Sequence, residues 1–127
     1  MILGVLRFFL FVFLFTSHPS KSEPIEGYLV KLQILDKITA EVFTFDIKIG
    51  QDLKFGSLII EIYACYKNPP EEIPENFVLL KIFDKINDIN LKKIYQGWMI
   101  SSSPASTPLE HPIYDLWLKD CKIKKDF

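Results

Sequence analysis

Ser102 or Ser103, His111 and Asp115 follow one another in a single stretch: a hydroxyl nucleophile, an imidazole base and a carboxylate to orient it. A hydrolytic triad is assembled by fold geometry and not by spacing. The Gly-x-Ser-x-Gly turn that raises a nucleophilic serine on an elbow is absent from the sequence, and all three residues fall in one loop and the strand after it. Pro112 biases His111 to an extended backbone, which suits entry into a strand. The favoured reading is that His111 and Glu110 fix the loop by hydrogen bonds. The alternative is a small hydrolase of glycan or peptide, in which His111 works with Glu110 or Asp115.

Glu71, Glu72, Glu75 and Glu110 raise a second chemistry. Glycoside hydrolysis needs two carboxyls held about 5–9.5 Å apart, one of them with a raised pKa. Three of these glutamates sit in the proline-rich run Asn68 to Glu75, where ordinary solvated carboxylates are expected. Neither chemistry earns an assignment, so no catalytic residue is named. The aromatic residues are more informative. Tyr63, Tyr66, Tyr95, Trp98, Tyr114 and Trp117 crowd a short chain. Stacked on a sheet face, Tyr66, Trp98, Tyr114 and Trp117 would bind sugar rings or a partner's side chains. Core filling is the plainer alternative.

The elements that would position these side chains are strands. Tyr28, Val30, Leu32 and Ile34 share one face, and Phe43, Phe45, Ile47 and Ile49 alternate with polar residues. Asp36 and Lys37 are placed to start a hairpin or a bulge. Leu53 to Phe55 reads as a short strand before the Gly56-Ser57 turn. Leu58 to Lys67 is apolar on both faces, the mark of a central strand. Prolines exclude Asn68 to Glu75 from a strand interior. Phe77 to Phe83 is strand again, Asp84 to Asn90 a turn or short helix, and Lys93 to Ile100 strand. Ser101 to Pro112 is a long loop, and Ile113 to Ile123 the last strand. The expected fold is all-β: a small antiparallel sandwich or barrel of about six to eight strands.

The N-terminus is of another kind. Arg7 is the only charge before an unbroken apolar run, Phe8 to Phe15, far short of the about 20 residues that span a membrane. A basic residue, a short apolar run and small polar residues make a signal peptide. Ser20-Lys21-Ser22 suits a signal peptidase, with Thr16 or Ser17 as the alternative sites, so residues 1–22 are read as the leader and 23–127 as a single β domain with no stable membrane span. Cleavage removes Arg7 and Lys21 from the 15 basic residues and leaves the 16 acidic ones, a balance that argues against nucleic acid as a partner.

The two cysteines, Cys65 and Cys121, both lie in the exported part, where an even count points to a disulfide. With two cysteines and no histidine near either, no zinc site is expected, nor any cofactor. Strict alternation puts Cys65 in phase with Glu61 and Lys67, and Cys121 in phase with Asp115 and Lys119. The bridge is therefore expected at the margin of the core, with Tyr63 or Trp117 packed over it.

Several segments occur together in a recognisable order: Phe55-Gly56-Ser57-Leu58, Cys65-Tyr66-Lys67-Asn68-Pro69-Pro70-Glu71-Glu72, Gly97-Trp98-Met99 and Leu109-Glu110-His111-Pro112-Ile113-Tyr114-Asp115-Leu116-Trp117. In these the chain resembles the domain-of-unknown-function family 2155, small exported proteins of alphaproteobacteria, over about residues 28–122. The resemblance implies a periplasmic location in a Gram-negative cell and covers both cysteine positions. It implies no activity. Export, small size and abundant aromatics together lead to the expectation of a non-enzymatic accessory protein that binds an envelope protein or, second, a glycan.

Overall fold

The computed structural model describes residues 22–124 and, before them, Gly4 alone. The leader expected before Glu23 therefore lies, apart from Gly4 and Ser22, outside the described residues. Eight strands follow: β1 (Ile25–Glu26), β2 (Leu29–Asp36), β3 (Glu41–Lys48), β4 (Asp52–Phe55), β5 (Leu58–Lys67), β6 (Asn76–Lys85), β7 (Leu91–Ile100) and β8 (Tyr114–Lys122). One 3₁₀ turn, Pro104–Ser106, interrupts the loop before β8. All pairings are antiparallel. A five-stranded sheet runs β1-β5-β6-β7, with β4 also on β5, and a three-stranded sheet runs β3-β2-β8. β1 pairs with the C-terminal end of β5 and β4 with its N-terminal end.

The turns follow local chemistry. The Asp36 carboxylate accepts from the amides of Ile38 and Thr39, at 2.9 and 3.2 Å, which makes the β2–β3 hairpin. Asn87 does the same for Ile89 and Asn90 between β6 and β7, so Asp84 to Asn90 is strand end and turn, with no helix. Between β4 and β5, Gly56 takes φ +56°, the conformation glycine supplies at the first position of a two-residue hairpin.

The two sheets face each other across one apolar layer. β2 contributes Val30, Leu32 and Ile34, β8 Leu116 and Leu118, β5 Leu58, Ile60 and Ile62, and β6 Val78, Leu80 and Ile82. Each such side chain, buried from water, contributes about 1.5–3 kcal/mol before the entropy of ordering it is counted.

The cysteine placement corrects the sequence expectation. Cys65 and Cys121 are joined, with Cα atoms 5.9 Å apart, and both are fully buried inside the core, not at its margin. Strict alternation fails in both cysteine-bearing strands, at one bulge in each. In β5 the register slips between Ile62 and Ala64, and in β8 opposite Lys31 and Leu32, which pair with Asp120 and Leu118. Each bulge inserts one unpaired residue, Tyr63 and Lys119, and reverses the facing of everything after it. Cys65 thereby joins Ile62 on the inner face, and Cys121 joins Leu118. Neither Tyr63 nor Trp117 covers the bridge. Its cover is Gly27, in the link from β1 to β2 that passes from one sheet to the other. A Cβ on Gly27 would lie 2.1 Å from the Cys121 sulfur and 2.7 Å from that of Cys65.

Candidate functional site

The residue types of the would-be triad are dispersed. His111 is buried, and both its ring nitrogens are occupied. Nδ1 accepts from the amides of Ile113 and Tyr114, at 3.0 and 3.2 Å, so the proton sits on Nε2 and is donated to Asp84, 3.0 Å away. The Ser57 hydroxyl, working against burial and helped by the His111 N–H, holds the Asp84 carboxyl below its ordinary range. Asp115 pairs instead with Lys37 at 3.2 Å, and the Lys37 ammonium also donates to the His111 carbonyl. Glu110 is exposed. No free ring nitrogen is left to take a proton from a nucleophile, and His111 instead ties the loop before β8 to the end of β6. The Asp84 partnership joins residues far apart in sequence, so pattern alone carries no sign of it.

The candidate serine is tied to a carboxylate. Glu75 Oε1 accepts from the amides of Asn76, Ser101 and Ser102 and from the Ser101 hydroxyl, at 2.9 to 3.1 Å, while the Ser102 hydroxyl donates to Oε2. Asn76 carries the network on, its side-chain carbonyl accepting from the Cys121 amide at 3.1 Å. Burial pushes the Glu75 carboxyl up, but the donors from Ser102, Ser101 and Asn76 outweigh it and hold it below its ordinary range. A carboxyl depressed in the folded state stabilises fully above its unfolded pKa, and that contribution is lost as pH falls through the folded value. Glu75→Gln should therefore lower stability at neutral pH, and the gap to the parent should close below the ordinary carboxylate range. Urea melts at pH 7 and pH 3 check this; a gap that stays constant would mean the charge is not what matters. Glu71 and Glu72 are exposed, as solvated carboxylates should be.

The aromatic candidates separate. Tyr114 is half-buried, edge-on to Phe55 at 5.6 Å and beside His111 at 5.2 Å, so it belongs to the core rim. Trp117 lies on the outer face of the three-stranded sheet, opposite Gln33. That face is largely polar, with Lys31 facing both Asp46 and Asp120 and Gln33 facing Thr44, as expected of a sheet side turned to water.

The outer face of the five-stranded sheet is different. The bulge at Tyr63 turns Tyr66 outward, and register sets it beside Phe77 on β6, one diagonal from Trp98 on β7. The rings of Tyr66 and Trp98 stand 5.9 Å apart. With Glu23 and Pro24 they line a shallow groove of about 390 Å³. Leu79 and Ile100 continue the apolar surface, and Tyr63 and Trp98 are 47% and 45% exposed. Two of the charges on this face are drawn into it: Glu61 accepts from the Tyr63 hydroxyl, and the Lys81 ammonium lies 5.5 Å from the Tyr63 ring and 6.0 Å from that of Phe83. One outer face is therefore largely polar, with Trp117 and Val42 as its apolar exceptions, and the other carries a cluster of aromatic rings. Among the described residues no group of three or more His, Cys, Asp or Glu is arranged to hold a metal ion, and no helix is long and apolar enough to cross a membrane.

A two-sheet sandwich closed by a buried bridge, with one aromatic outer face, is the class of protein this geometry defines. Residues 30–121 match the family described as an uncharacterized protein conserved in bacteria, domain-of-unknown-function family 2155, and the chain belongs to it. The match begins at the second residue of β2 and ends on the buried cysteine of β8. Over 91 residues the chain is 36% identical to the uncharacterized protein RP359 of Rickettsia prowazekii (strain Madrid E), covering 72% of this chain and 59% of that protein. The chain thus spans less than two thirds of that relative's length. No solved structure matches.

Proposed function

We propose that this is a non-enzymatic accessory protein of the bacterial envelope, exported by residues 1–22 to the periplasm, where it docks on a partner protein. The observation that carries this reading is the contrast between the two outer faces, with Tyr66, Phe77 and Trp98 grouped on one of them. A fully buried disulfide fits an oxidising compartment. The tied nitrogens of His111 favour binding over hydrolysis.

Two measurements test it. A photo-crosslinking amino acid in place of Trp98 should trap a protein in intact cells, while the same group in place of Thr44, on the largely polar face, should not. Equal trapping from both positions, or none from either, counts against a docking face; a trapped glycan fragment would replace the protein partner by a glycan. N-terminal sequencing of the protein from the envelope fraction should begin at Glu23. A chain in that fraction still starting at Met1 would mean an uncleaved anchor and remove the released periplasmic form.

A further inference from the structure

Resting on that reading, we infer that the Tyr66–Phe77–Trp98 groove takes a lysine or arginine side chain from a basic segment of the partner protein. Three observations converge. The groove wall is aromatic, and the faces of Tyr and Trp rings attract cations. Its rim is acidic: Glu23 lines it, and Glu26 pairs directly with Tyr66 and so shares its outward face. The same sheet face already holds one cation in this way, the Lys81 ammonium over the Tyr63 and Phe83 rings. Among the described residues no ammonium of this chain lies over Tyr66 or Trp98, whose rings face the groove. The neighbouring Lys67 is engaged elsewhere, with Asp120 at 2.8 Å. A groove with aromatic walls and a carboxylate rim complements a cationic side chain better than an apolar or acidic one. Both carboxylates are exposed, so the attraction is screened by salt.

The test uses the exported protein with its disulfide closed and three probes: hexa-arginine amide, the neutral hexacitrulline amide of nearly the same shape, and hexaglutamate amide. Hexa-arginine should shift the NMR signals of the Trp98 indole and the Tyr66 ring, and the other two should not. Trp98→Leu, which keeps an apolar side chain at an exposed position, should weaken binding by about tenfold, while Trp98→Phe retains most of it. Glu23→Gln with Glu26→Gln should weaken it and flatten its salt dependence. Equal binding of hexacitrulline, an unchanged affinity in Trp98→Leu, or shifts confined to the opposite sheet would each overturn the inference, the last two by exposing simple polyelectrolyte attraction. The two readings fail separately. Crosslinking from position 98 together with equal hexacitrulline binding would keep the docking face and remove the cationic occupant.

Discussion

Replacing Cys65 and Cys121 together by alanine should lower the stability of the sandwich by at least about 4 kcal/mol, read as a fall of roughly 2–3 M or more in the urea midpoint. The bridge closes a loop with a sequence separation of 56. In the chain-entropy treatment, releasing that loop in the unfolded ensemble accounts for the whole figure. The native side adds to it. Both sulfurs are fully buried, so alanine leaves a void between the sheets where Cys65 and Cys121 now touch. A chain of this size has only about 5–15 kcal/mol in all, so the variant should sit close to unfolding at physiological temperature. Burial makes a second readout. A reductant added to the native protein should leave the bridge intact, and the same reductant in urea should open it, because access requires the sheets to part. A loss below about 1 kcal/mol, or rapid reduction of the native protein, would mean that the bridge is not the internal brace described here.

Much of this architecture can be read from alternation. The inward residues of β2, β3 and the first half of β5 follow strict period-two spacing, and the turns at Asp36 and Gly56 sit where their chemistry places them. What alternation cannot show is a bulge. One inserted residue leaves composition unchanged and reverses the facing of every residue beyond it, which is why strict alternation puts Cys65 and Cys121 on the wrong sides. The signal was nonetheless present. Two cysteines that must meet cannot both point away from the layer between their sheets, so their apparent phase argues for a slip in each strand. The groove was half legible for the same reason. Tyr66 and Trp98 stand out by type, but Phe77 joins them only through register across three strands, and Glu23 and Glu26 only through β1, too short to show a period. Glu110, expected to share the fixing of the loop, is exposed, and it is His111 whose ring bonds the amides of Ile113 and Tyr114. Its partner Asp84 lies on another strand and was out of reach.

Gly27→Ala should be strongly destabilising. The new Cβ would stand 2.1 Å from the Cys121 sulfur, 2.7 Å from the Cys65 sulfur and 2.8 Å from the Lys122 carbonyl oxygen. None of these can swing away, since two belong to the bridge and the third is backbone. The link itself is pinned on both sides. Gly27 donates to the Cys65 carbonyl and Tyr28 to the Lys122 carbonyl, each at 2.9 Å, so relief of the clash requires breaking one of these bonds. Overpacking of this kind costs about 1–3 kcal/mol, with about 1 kcal/mol more for each hydrogen bond lost. A double-mutant cycle separates the sources. In the background lacking both cysteines the sulfurs are gone and only the carbonyl contact remains, so the same substitution should cost at least about 1 kcal/mol less. Equal cost in both backgrounds would place the strain outside the bridge. The displaced link should also let a reductant reach the disulfide in the native state. Because Glu26 immediately precedes Gly27 and pairs in register with Tyr66, Gly27→Ala should also weaken hexa-arginine binding without altering a groove residue.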